Sequence, residues 1–213
     1  MTGTPMFPLE SALLPGDELP LRIFEPRYSE LVRDCLAGDQ NFGVVLIQRG
    51  REVGGGDVRS DVGVMVHIAE YEDYGEGRYR LRCPVLERIR VIEWLPDDPY
   101  PRAVVEAWPD EPGTIGAAEI GDLEDQIWAL FERIATARGM ELGGRDLLFD
   151  PAVADDPGKQ LYALANRLPM GAADRYEVLA APSPTQRLVA MREAVETVAA
   201  LIEFQLSSPD DGD

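Results

Sequence analysis

Pro109-Asp110-Glu111-Pro112-Gly113-Thr114-Ile115-Gly116-Ala117 separates two kinds of sequence. Before it, short apolar runs alternate with polar residues and are punctuated by Gly and Pro. After it, apolar residues recur at helical spacing. Upstream, Phe42-Gly43-Val44-Val45-Leu46-Ile47 has the unbroken apolar character of a strand covered on both faces, ending at Arg49-Gly50. The Gly54-Gly55-Gly56 run marks a mobile loop. Val62 to Tyr71 and Arg78 to Glu87 flank Tyr74-Gly75-Glu76-Gly77, a turn whose glycines can take positive φ, so this pair is expected to be antiparallel. Within it Tyr79, Leu81 and Cys83 alternate with Arg78, Arg80 and Arg82, giving an apolar row and an arginine row on opposite faces. Ile89, Val91 and Tyr100 to Trp108 extend the pattern. One helix interrupts it: Pro26 suits a first helical position, Tyr28, Leu31, Val32, Cys35 and Leu36 follow at helical spacing, and Gly38 ends it.

Downstream, Ile120, Leu123, Ile127, Leu130, Phe131 and Ile134 make an amphipathic helix closed by Gly139. Leu161, Leu164, Ala165 and Leu168 make a second, ended by Pro169, and Ala172 to Ala181 a short third. Ser183-Pro184-Thr185-Gln186 has the form of a capping box opening a long helix to Gln205. The fold class expected is therefore α+β: a β-rich domain over residues 1–112, a helical bundle over 113–208 and an acidic tail over 209–213.

The 213 residues carry 20 basic and 39 acidic side chains, a net charge of −19, with −7 falling on residues 1–109 and −12 on the remainder. Such a surface repels nucleic-acid phosphates and anionic lipid. With 45% hydrophobic residues the chain still has material for a core. Cys35 and Cys83 are too few and too far apart for a disulfide framework. No leader or membrane-length apolar run is visible, so a cytoplasmic location is expected.

The catalytic inventory is thin. His67 is the sole histidine, which removes two-histidine metal sites and histidine relays. It faces opposite to Val66 and Ile68, and reads as structural, with a general base or ligand contact as the alternative. Lys159 is the sole lysine, and Asp155-Asp156 beside it keep it charged and solvated, against a Ser and Lys dyad. Pro157-Gly158-Lys159-Gln160 lacks the rest of a phosphate-binding loop. Asp97-Asp98 reads as a solvated turn. Neither a catalytic residue, a metal site nor a cofactor is assigned. The arginines Arg78, Arg80, Arg82, Arg88 and Arg90 read as partners for the chain's own carboxylates, the alternative being contact with an anion or partner.

Pro20-Leu21-Arg22-Ile23-Phe24-Glu25-Pro26-Arg27-Tyr28, preceded by Phe7-Pro8-Leu9 and Leu14-Pro15-Gly16, resembles the N-terminal substrate-binding domain of the Lon protease family, more narrowly its stand-alone bacterial forms. The likeness continues through Arg88-Ile89-Arg90-Val91, Tyr100-Pro101-Arg102-Ala103, Leu168-Pro169-Met170 and Asp174-Arg175-Tyr176 to Leu188. It implies a PUA-like pseudo-barrel with one inserted helix, then a helical bundle. It also implies a non-enzymatic role: binding exposed apolar segments of client proteins, or a specific protein partner, without the family's ATPase and peptidase modules. A PUA-like domain also allows an RNA- or small-ligand-binding alternative, which the net charge disfavours.

Within the motif, Arg22, Glu25, Pro26 and Arg27 are expected to be structural. Glu25 favours the positive helix end and Arg27 bridges to a strand carboxylate. Phe24 and Tyr28 are expected in the core. On the functional alternative, Phe24, Tyr28, Leu13, Leu14 and Pro15 line a peptide groove.

Overall fold

The structure is a computed structural model that describes residues 3–49, 58–148 and 151–207. The triple glycine and the acidic tail lie outside the described residues. The chain forms two compact units, Met1–Pro109 and Asp110–Asp213.

The first unit runs β1 (Thr4–Leu9), β2 (Glu18–Ile23), α1 (Pro26–Ala37), β3 (Asn41–Arg49), β4 (Val58–His67), β5 (Glu70–Asp73), β6 (Tyr79–Leu95) and β7 (Arg102–Ala107). Five strands close on themselves: β6 pairs β4, β4 pairs β3, β3 pairs β1, β1 pairs β7, and β7 returns to β6. Among the described residues only the β1 and β3 pair is parallel. Closure leaves these strands no free edge in the ring. Inside it Met6, Val45, Ile89, Val91 and Ala103, from four different strands, form a buried cluster. Each large apolar side chain so buried contributes about 1.5–3 kcal/mol.

The expected strand from Val62 to Tyr71 is two strands, β4 and β5, separated at Ile68 and Ala69. The separation lets them pair with different stretches of β6. Residues 85–90 of β6 meet β4, whereas Tyr79 to Arg82 meet β5 on one side and β2 on the other. The antiparallel hairpin expected around Tyr74–Gly77 is present, as β5 and β6. One 17-residue strand thus belongs to the ring and to a three-stranded flap, β2-β6-β5.

Helix α1 begins at Pro26 and ends at Gly38, and it buries Tyr28, Leu31, Val32 and Cys35. Phe7 of β1 stacks on Tyr28 with ring centroids 4.2 Å apart, so this helix seals one side of β1. Cys35 and Cys83 are both free and buried. Burial pushes each thiol from the ordinary 9.0 up to about 12. The folded state therefore holds two protons that the unfolded chain releases above pH 9, and stability falls as pH rises through that window. Between pH 8 and pH 10 the expected loss is up to about 1.4 kcal/mol for each thiol. Urea midpoints at the two pH values check this, and Cys35→Ala with Cys83→Ala should remove that part of the pH dependence.

The second unit contains α2 (Ala117–Arg138), α3 (Pro157–Ala165), α4 (Ala172–Ala180) and α5 (Pro184–Ser207). Gly116 N–H donates to Glu119 Oε2 at 2.9 Å at the start of α2, and Gly139 closes that helix in the left-handed conformation at φ 61°. Ile120, Leu123, Ile127 and Leu130 of α2 are buried, as are Leu188, Met191, Val195 and Val198 of α5. Arg187 of α5 is also buried completely. Its guanidinium forks onto Asp110, with Nη1 at 2.9 Å from Oδ2, donates to Gly158 O at 3.2 Å and lies 3.9 Å above the Tyr162 ring.

Candidate functional site

The flap β2-β6-β5 carries the outward chemistry of the first unit. Along β2, Leu19, Leu21 and Ile23 are buried while Glu18, Pro20 and Arg22 point out. Along β6, Tyr79, Leu81 and Cys83 are buried while Arg80 and Arg82 point out, which is the two-row arrangement the alternation predicts. Register then sets the outward rows: Pro20, Arg82 and Glu70 lie opposite one another, and beside them Arg22, Arg80 and Glu72.

The arginines have unequal surroundings. Arg82 is clamped between Glu18, at 3.0 Å, and Glu70. The hydrogen bonds that Arg82 donates to Glu70 and Glu18 raise its pKa, and the bond from Arg82 lowers that of Glu70. Arg78 reaches Glu76 at 3.1 Å. Arg88 and Arg90 are 4.4 and 4.2 Å over the Trp108 ring. Arg59 binds Asp97 through both guanidinium nitrogens, at 3.1 and 2.7 Å. By contrast Arg22 and Arg80, exposed and directly opposed, have no ion-pair partner among the described residues. The arginine row expected to be neutralised throughout is therefore neutralised at Arg78 and Arg82 and open at Arg80.

This open pair lines a cleft of about 530 Å³ that also receives Phe24, Tyr74 and Arg78. Phe24 is 67% exposed and Tyr74 57%. Phe24 thus departs from the core position expected of it. Ile23 faces inward, so the next side chain of an extended segment faces out whatever its hydrophobicity. The Tyr74 hydroxyl donates to Glu72. The turn beneath it is held in place: Gly75, Glu76 and Gly77 all have positive φ, and the Ser29 hydroxyl of α1 donates to Gly77 O. A Cβ at Gly77 would lie 2.9 Å from Ser29 Oγ, so only glycine seats the turn on the helix. Tyr74 and the Ser29 anchor escaped the sequence reading, since only the pairing of Tyr79 with Asp73 and Ile23 brings the turn and Phe24 together.

The remaining motif residues lie at the start of α1. Pro26 occupies the first turn of α1, and Glu25 is its N-cap without a side-chain capping bond. Arg27 Nε donates to Glu25 at 3.1 Å and the guanidinium lies over Tyr28. Tyr28 is 4% exposed and Leu14 fully buried, so neither offers a surface to a peptide; Leu13 and Pro15 are half-buried. Leu14 is fixed by its own N–H, which donates to Asp17 at 2.8 Å.

His67 is half-buried with Nδ1 2.9 Å from Asn41 Oδ1, and the exposed Lys159 pairs with Asp156 at 3.3 Å. The two belong to different units. Among the described residues no group of three His, Cys, Asp or Glu side chains is placed to hold a metal ion, and no helix is long and apolar enough to cross a membrane. The helical unit has its own apolar cavity of about 470 Å³, lined by Phe131, Ile134, Met140, Leu201 and Ile202 among others.

Residues 3–197 match the ATP-dependent protease La (LON) substrate-binding domain. Lon protease 1 of Herpetosiphon aurantiacus is 26% identical over 190 residues, covering 88% of this chain and 23% of that protein. Lon protease 2 of Myxococcus xanthus is 34% identical over 110 residues, or 50% of this chain and 13% of that one. The chain thus spans about a quarter or less of these two relatives. Among solved structures, the Lon N-terminal domain protein from Xanthomonas campestris superposes with a TM-score of 0.65 at 28% identity, covering 91% of this chain and 98% of its own. The N-terminal domain of Mycobacterium avium complex Lon protease gives 0.63 at 14% identity with the same coverage, a likeness of fold. The chain belongs to the LON substrate-binding domain family.

Proposed function

We propose that this chain is a non-catalytic recognition module that holds exposed segments of client proteins in the cleft of the β2-β6-β5 flap, as an adaptor for proteolysis or quality control. On this reading the first unit is a PUA-like domain and the second a helical bundle. The observation that carries it is the pair of exposed aromatics, Phe24 and Tyr74, at one cleft of a substrate-binding family. Large aromatic rings left in water at a concave site are the usual anchors of a binding surface, each worth about 2 kcal/mol or more when a partner covers it. Both rings project from firm supports, the start of α1 and the turn fixed by Ser29.

The test is direct binding of a reduced, carboxamidomethylated protein that cannot refold. Phe24→Ser with Tyr74→Ser should weaken binding about a hundredfold or more, while stability changes by only about 0.5 kcal/mol, as for other exposed positions. Unchanged affinity in the double variant would remove the cleft from the mechanism.

A further inference from the structure

Resting on that reading of the cleft, we propose that it selects client segments that place one side-chain carboxylate, from Asp or Glu, beside an apolar side chain. Arg22 and Arg80 face each other across β2 and β6. Directly opposed residues of an antiparallel pair have Cβ atoms about 4.5–5.5 Å apart, and like charges there destabilise the sheet. In a chain with 39 carboxylates against 20 basic groups, a neighbouring acid would relieve this. The next row shows how: Arg82 sits between Glu18 and Glu70. In the Arg22 and Arg80 row Glu72 stands opposite Arg80 and accepts the Tyr74 hydroxyl, and among the described residues no ion pair joins it to either arginine. Two guanidinium forks are thus left facing solvent within reach of one anion, with Phe24 and Tyr74 flanking them.

The surroundings restrict what that anion is. Glu72, Asp73 and Glu76 are exposed on β5 and its turn. A polyphosphate chain would bring repeated charges against them and against a net charge of −19, whereas a single carboxylate brings one. The exposed rings favour an apolar neighbour to that carboxylate. A peptide side chain meets both conditions, and an RNA strand fails the first.

The experiment uses the full chain and three fluorescent ten-residue apolar peptides that differ only by Asp, Asn or Lys at the centre, the first two compared on the native protein and the third on the charge-reversed variant, read by anisotropy at low and high salt. The Asp peptide should bind about tenfold more tightly at low salt, with the difference shrinking as salt is raised. Arg22→Gln with Arg80→Gln should abolish the difference without lowering the melting temperature. Arg22→Glu with Arg80→Glu should reverse it in favour of a Lys-centred peptide. Equal binding of the Asp and Asn peptides to the native protein would overturn carboxylate selection and leave capture of apolar segments standing. Failure of both peptides to bind would overturn both. Displacement of the Asp peptide by an RNA oligonucleotide at equal or lower concentration would also overturn the assignment.

Discussion

Asp110→Ala lowers the stability of the helical unit by about 3–5 kcal/mol, the cost of stranding a buried charge. The Arg187 side chain is 0% exposed and that of Asp110 31%. Removing Asp110 leaves a fully buried guanidinium without the carboxylate that both of its terminal nitrogens bond. Removing the arginine is milder. Arg187→Met places an adaptable apolar chain against Tyr162 and leaves a carboxylate that water partly reaches. The ordering is the discriminating outcome: Asp110→Ala melts below Arg187→Met, and the double variant recovers part of the loss. For a unit of this size the Asp110→Ala melting temperature should drop by on the order of 15 °C, followed by circular dichroism. A larger loss for Arg187→Met would mean that the carboxylate, and not the cation, is the group whose burial needs compensation.

Gly63→Ala has the second large effect, destabilising the β unit by about 3 kcal/mol, at the upper end for an overpacked site. Gly63 of β4 pairs with Val45 of β3, next to a shift in register. A Cβ there would fall well inside contact distance of the Val44 carbonyl oxygen and 2.7 Å from Val45 Cγ1. A carbonyl within a strand ladder cannot swing away without breaking the hydrogen bonds beside it. Gly43 is the control. A Cβ there meets Met6 Sδ, Met6 Cε at 2.8 Å and Ile89 Cδ1 at 2.9 Å, all side-chain atoms that can shift and none of them backbone. Denaturant titration should therefore place Gly63→Ala clearly below Gly43→Ala. Equal losses would show that ring interior volume, not the backbone approach, sets the cost.

Local chemistry was readable where it depends on neighbours in sequence. Pro26 and Gly38 delimit α1 as their capping roles predict, and the Tyr74–Gly77 turn follows from its glycines. What the chain concealed depends on pairings far apart. Nothing near Arg22 indicates that Arg80 will stand opposite it, because register is fixed by the whole buried row of Leu19, Leu21 and Ile23 against Tyr79, Leu81 and Cys83. Nothing beside Arg187 in the sequence indicates that Asp110, 77 residues away, closes on it. Pro157-Gly158-Lys159, a failed phosphate-binding loop by sequence, has its use there: Gly158 supplies a carbonyl to Arg187, and a Cβ on it would lie 2.9 Å from Asp110 Oδ2. Phe24 shows the opposite error. Its outward parity was available from β2, and its hydrophobicity argued misleadingly for the core.

The ring also sets an order of events during synthesis. β1, at the start of the chain, is completed on one side by β3 and on the other by β7, through Thr4 opposite Ala103 and Pro5 opposite Arg102. Closing that second side joins residues about 100 positions apart, at a loop-closure cost of roughly 4 kcal/mol that no local turn defrays. At about 5–20 residues per second, the first strand waits roughly 5–20 s for its last neighbour to be made. For that interval the strand edges that the finished ring conceals stand open to other chains.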